Sequence, residues 1–258
     1  MTQGDVQLHI RRLIEPSELE MRGVLRVLTQ AFMPDPVVEA IFAGPPTPAG
    51  LDAMNSGFVR AALVEGQGEL WVAELERSQA KGIRDIVGVG VWYVPGNHAL
   101  SDERESAEVW WAELLRIVGK KQADWFLDYF LPRMAGMWER YLPTPGDTLD
   151  DGYHCQMVCV LPQFHNNGIV SSLLAPVISR AVREGQRVLG EASSAENASK
   201  YAHMGCRIFG SESFEPLPET GLRAFKMWPL QVAPEAFLDN KYWNREKGAV
   251  SSRLAAKL

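Results

Sequence analysis

The chain has 258 residues, of which 46% are hydrophobic and 22% charged, enough apolar material for a sizeable core and too much for a disordered chain. Its formal net charge of -6 argues against a nucleic-acid partner, which normally demands a strong basic footprint. The charge is uneven, with 14 basic and 22 acidic side chains in residues 1–150 against 12 and 10 in residues 151–258, so an anionic ligand is expected on the second part.

The longest nearly apolar run, Ile86 to Pro95, is about half the ~20 residues that a bilayer crossing needs. Met1 to Glu20 carries scattered charges in place of an apolar leader. A cytoplasmic protein with no membrane partner is expected. The 3 cysteines, Cys155, Cys159 and Cys206, are odd in number and lack CxxC spacing, which points to free thiols in a reducing compartment.

Gln7 to Leu13 alternates like a strand, and Glu15-Pro16-Ser17 opens a helix to about Phe32. Met33-Pro34-Asp35-Pro36 breaks it, and two more helical stretches follow, Val37 to about Phe42 and roughly Ala49 to Val64. Glu69 to Glu76 and Asp85 to Val94 then read as an antiparallel strand pair. Glu105 to Tyr141 returns to helical periodicity and is rich in aromatic residues. From Gly152 the order is strand (153–160), helix (168–184), strand (187–192), helix (about 196–204), strand (206–214) and strand (222–228). A strand-helix-strand unit implies a parallel pair with a right-handed crossover. The last stretch, 232–258, is basic. The whole reads as a single mixed α/β domain over 1–258, with a helical insertion at about 105–147 between the third and fourth strands.

There is no GxxxxGK[ST], GxSxG or HExxH motif. Gly88-Val89-Gly90 lies inside a strand, where it marks a bulge or close approach. His154, Cys155, Cys159 and His165 bracket one strand, but two cysteines four apart on a strand are about 13 Å apart, too far for one tetrahedral ion. No metal is expected. The informative segment runs from Met157 to Leu174. A buried strand ends near Pro162, a polar loop follows, and Gly168 opens a helix whose first amides have no intrahelical partner. The segment is either an ordinary strand-to-helix turn or an anion cradle, with Ser171 and Ser172 as extra donors.

Pro162, His165, Gly168, Val170, Leu173 and Leu174, in that spacing after an apolar strand, resemble motif A of the GCN5-related N-acetyltransferase (GNAT) superfamily. Downstream, Glu191-Ala192-Ser193 and the Asn197, Tyr201, Gly205, Cys206 series resemble its second conserved block, with a loose similarity to the fungal small-molecule type. The resemblance covers about residues 7–230. The chain departs from the family loop in carrying His165 for Arg or Gln and Val170 for the second Gly or Ala.

The resemblance implies a mostly antiparallel sheet, flanked by helices, whose central parallel pair is splayed open. It implies acetyl-CoA as cosubstrate and a small primary amine as acceptor. The pantetheine arm would run along Val158, Cys159 and Val160. The pyrophosphate would sit on His165, Asn166, Asn167, Gly168, Ile169, Val170 and Ser171. Tyr201 stands at the family's usual acid position, or is a core tyrosine; Asn197 holds the cosubstrate, or caps its helix. Glu191 and His154 are rival bases, a water relay being a third route. Trp110, Trp111, Trp125 and Trp138 either wall the acceptor site or pack the insertion. The competing reading is a CoA-binding protein of the same fold with little or no turnover. Pairing of two copies through the aromatic helices and the basic end is compatible with both readings.

Overall fold

The computed structural model describes residues 6–77, 82–98, 107–233 and 254. Strand β1 (Val6–Leu13) leads to helix α1 (Glu18–Phe32), which starts where the sequence marks it. Ser17 accepts from the Glu20 amide while the Glu20 carboxylate accepts from the Ser17 amide, a reciprocal cap worth about 1 kcal/mol. Helices α2 (Pro36–Ile41) and α3 (Pro48–Leu63) follow, then strands β2 (Gly68–Arg77) and β3 (Arg84–Tyr93). The insertion forms α4 (Ala107–Val118), α5 (Lys120–Trp125), a wide π turn (Phe126–Phe130) and α6 (Leu131–Tyr141). Then come β4 (Gly152–Val160), α7 (Ile169–Glu184), β5 (Arg187–Ala192), α8 (Ala195–His203), β6 (Cys206–Ile208), β7 (Glu212–Phe214) and β8 (Phe225–Val232). Among the described residues no helix is long and apolar enough to cross a membrane.

The sheet order is β1-β2-β3-β4-β5-β8-β6, with β7 on the first part of β8. Every pairing is antiparallel except β4 with β5. That parallel ladder is short, running from Gly152 opposite Arg187 to Cys155 opposite Gly190. Past this point β4 stays on β3 while β5 stays on β8, so the two strands diverge. The cause is visible in the register with β3, where Val91 faces Met157 but Trp92 faces Cys155. Gln156 is therefore an extra residue, and such a bulge bends its strand.

Two sequence expectations change. Residues 206–214 form two short strands because the chain turns at Gly210, φ +158°, where a Cβ would stand 2.6 Å from the Tyr141 hydroxyl. The last strand lies later than expected, at 225–232, and passes through Pro229. The Pro229 carbonyl accepts from Phe209 N–H at 3.1 Å, between the ends of β6 and β7, so its missing N–H falls where no ladder partner is due. Gly88 is a close approach, as expected: a Cβ there would lie 3.2 Å from both the Ala73 Cβ and the Cys159 carbonyl.

The aromatic insertion packs as core. Trp125, Phe126, Phe130, Met137 and Trp138 are buried with Phe214 and Phe225, and the Phe130 and Phe214 rings lie 5.2 Å apart. Burying such side chains contributes roughly 2 kcal/mol or more each. The basic C-terminal stretch lies outside the described residues apart from its first positions and Leu254, which is buried in the apolar cluster that β1 to β4, α1, α3 and α7 share.

Candidate active site

The divergence of β4 and β5 opens a cleft of about 470 Å³. One wall is β4 from Cys155 to Val160, the other β5 from Val188 to Ser193, with α8 and the loop before α7 at its mouth. Leu161 N–H donates to Val87 O on β3. Strand alternation then gives the backbone groups of Cys159 and Met157 to β3 and turns those of Val158 and Val160 toward the cleft. Cys159, expected to offer its backbone beside Val158 and Val160, spends it on the ladder; its thiol, pushed up by burial to about 12, stays protonated.

At the mouth, Asn166 (φ +64°) and Gly168 (φ +80°) adopt left-handed conformations and bring the chain into α7 with no side-chain cap. The amides of Ile169, Val170 and Ser171 therefore point out of the helix end without intrahelical acceptors. All three residues line the cleft, with His165, Asn166 and Gly168. The Ser171 and Ser172 hydroxyls, expected as extra donors to a ligand, bond back to Gly168 O at 3.0 and 3.1 Å. His165 uses its Nε2 on Val160 O at 2.9 Å. Asn167 is turned inward, its amide donating to the carbonyls of Phe164 and His165. Val170 packs part of its side chain against the flanking apolar clusters.

From α8, Asn197 and Tyr201 both face the cleft, one helical turn apart. The cap of α8 is Ser194, whose hydroxyl accepts from Asn197 N–H at 3.1 Å, so the Asn197 side chain is not the cap. Burial raises the Tyr201 pKa, so the phenol keeps its proton at neutrality and can donate it.

The two rival bases turn out to be partners. His154 Nε2 lies 3.0 Å from Glu191 Oε2, and Trp138 Nε1 donates to Glu191 Oε1 at 2.6 Å. Glu191 lines the cleft, but His154 does not. It is buried on the insertion side of β4, because alternation separates it from its neighbour Cys155. Trp138 and Trp125, expected on the acceptor wall, are likewise off the cleft lining; Trp125 donates to Glu215 O at 2.9 Å. Trp110 and Trp111 fall in the first turns of α4, and their side chains lie outside the described residues.

Asp35 was not singled out from sequence. It belongs to the same cleft lining as Tyr201. Its Oδ1 accepts from Val37 N–H at 2.9 Å, capping α2, and its Oδ2 accepts from the Ser193 hydroxyl at 2.5 Å. Burial raises its pKa above the ordinary carboxylate range against these stabilising hydrogen bonds. The local signal, Asp before Pro36, is that of a helix start. Nothing local announces a partner 158 residues away.

Solved structures of similar fold include a Corynebacterium glutamicum acetyltransferase related to histone acetyltransferase HPA2, 20% identical over 86% of this chain and 95% of that one, TM-score 0.51. Arylalkylamine N-acetyltransferase 2 of Aedes aegypti is 16% identical over 88% and 99%, TM-score 0.52. The polyamine N-acetyltransferase of Drosophila melanogaster is 16% identical over 87% and 99%, TM-score 0.52. The fold is that of the GNAT acetyltransferases. These bacterial and insect structures give the fungal comparison no support. No protein-family model matches the chain, and no curated protein matches it in sequence.

Proposed function

We propose that this protein is an N-acyltransferase that moves the acyl group of acyl-CoA, acetyl-CoA in the simplest case, to the primary amine of a small molecule. The observation that carries the reading is the gap between β4 and β5. It offers an open strand edge at Val158, beside the Val160 carbonyl that His165 occupies, and this edge leads to the exposed amides at the start of α7. An edge of that kind pairs with an amide-bearing arm, and a helix N-terminus holds the pyrophosphate to which the arm is joined. The activities named for the similar folds, on arylalkylamines and polyamines, support a small amine as acceptor.

Acyl-CoA supplies an activated thioester; the remaining tasks fall to this chain's residues. Val158 N–H is oriented to stabilise negative charge on the thioester oxygen. Asp35, also on the cleft lining, takes a proton from the incoming ammonium, directly or through water, and Ser193 holds the carboxylate in place. Its raised pKa suits that task better than an ordinary aspartate would. Tyr201 gives a proton to the departing thiolate. Glu191, bonded through both oxygens to His154 and Trp138, is a positioning residue that ties the insertion to β5.

A calorimetric titration with acetyl-CoA, followed by thiol release over a panel of aromatic and aliphatic amines, tests the reading. Binding with amine-dependent thiol release is expected. Protein that gives no heat at millimolar CoA, acetyl-CoA or a longer acyl-CoA refutes it. Binding without turnover on any amine favours the CoA-binding alternative.

A further inference from the structure

The cleft continues past the point where β4 and β5 rejoin. Its inner wall is made by Trp92, Leu174, Ile178, Val188, Leu230 and Val232, all buried. The sequence of β5 makes this room. Alternation puts Val188, Gly190 and Ala192 on one face of the strand, so a glycine and an alanine stand where larger side chains would fill the space. A Cβ on Gly190 would meet Cys155 Cβ at 3.5 Å and Leu230 Cδ1 at 3.8 Å, ordinary contact distances. The glycine is therefore not forced by a backbone clash.

This inner chamber is chemically unlike the outer cleft. From Cys155 inward the β4 edge is occupied by β5, and the β5 edge by β8. No backbone donors or acceptors are left for a pantetheine arm, whose amides would lose their hydrogen bonds there. Besides the Cys155 and Cys206 thiols, the polar side-chain atoms there are the Tyr201 hydroxyl, at the entrance beside the thiols, and Trp92 Nε1, which is buried without a partner among the described residues. Burial keeps both thiols protonated, Cys206 being pushed up to about 12. Ordered water needs two to four polar partners, so the chamber favours hydrocarbon over water.

Resting on the acyltransferase reading above, we infer that the chamber receives the acyl chain of a medium-chain acyl-CoA, the thioester oxygen standing on Val158 N–H and the chain entering the chamber at the Gln156 bulge and running inward toward Val188. From Gln156 back to Tyr153, the partner of Val188, is three residues of strand, about 10 Å, the length of about eight carbons. The acyl donor is then longer than acetyl.

The test is calorimetric binding of CoA and of its acetyl, butyryl, hexanoyl and octanoyl thioesters to the full chain, and to Gly190→Val, whose methyl groups enter the chamber. In the wild type, Kd should tighten by about fourfold per added methylene up to octanoyl. In Gly190→Val the gradient should vanish, with octanoyl-CoA bound no more tightly than acetyl-CoA. Gly190→Ala, which adds a Cβ at ordinary contact distance, serves if the valine variant does not fold, and should shorten the preferred chain. A wild-type series that is flat or weakens from acetyl-CoA onward overturns the chamber assignment and leaves the acyltransferase reading standing. A gradient unchanged in both variants also overturns it, since the chain then binds elsewhere. Failure to bind CoA or any thioester removes the acyltransferase reading itself, and the chamber with it.

Discussion

Asp35→Asn separates the structural work of this residue from its proposed chemistry. Asn and Asp cap helices about equally well, so the bond from Val37 N–H has an acceptor in both. The contact with Ser193 can reverse, the new amide donating to the hydroxyl. In the ionised state a charge-assisted hydrogen bond gives way to a neutral one, about 1 kcal/mol, or about 2–4 °C in Tm for a chain of this size, and removal of the buried charge works against that loss. Even that loss depends on pH. Because burial raises the folded pKa of Asp35, its contribution to stability is full at low pH and is lost as pH rises through the folded value. Asn does not ionise, so the variant should gain on the wild type across that rise. Catalysis should respond differently. Without a base, kcat/KM falls by about 10²–10⁴-fold, and the acidic limb of its pH profile, set above the ordinary carboxylate range, disappears. Melting curves and amine-dependent thiol release from pH 5 to 9 read both effects. A folded Asp35→Asn protein that keeps the wild-type rate and acidic limb refutes Asp35 as the base.

Tyr201→Phe should lower kcat by about 10²-fold with little change in the KM for acyl-CoA; full turnover in a protein with an intact circular dichroism spectrum rejects the acid role. Gly168→Val places a β-branched residue at φ +80° and should weaken CoA binding at least tenfold by calorimetry, through strain in the turn that presents the α7 amides; unchanged affinity places the pyrophosphate elsewhere. Glu191→Ala leaves His154 and the Trp138 indole buried without their acceptor and should cost about 3 kcal/mol in urea unfolding. Glu191→Gln should keep the acidic limb of the pH profile, and its loss there returns Glu191 to the role of base.

The element order was legible because it is written in local periodicity. The alternation from Gln7 to Leu13, the helix opening at Glu15-Pro16-Ser17, and the strand-loop-helix of Met157 to Leu174 each depend on neighbours within a few residues. The loop leading to Gly168 could be placed at a helix start for the same reason, and so could Asn197 and Tyr201 on one face of α8.

What tertiary structure alone decided is which distant groups meet. Sequence offers Glu191 and His154 as rival bases; only the parallel pairing of β4 with β5 and the packing of α6 make them partners of each other and of Trp138. Asp35 reads locally as a helix cap, and enters the cleft only because Ser193, at the end of β5, reaches its other oxygen. The aromatic richness of the insertion is equally compatible with a ligand wall and with a core, since a hydrophobic pattern reports that a face is covered but not by what. The inner chamber exists because Gly190 and Ala192 lie opposite Trp92, Leu174 and Ile178 across a fold. An absence of side chains has meaning only when the surfaces around it are in place, and those surfaces come from four strands and a helix far apart in the chain.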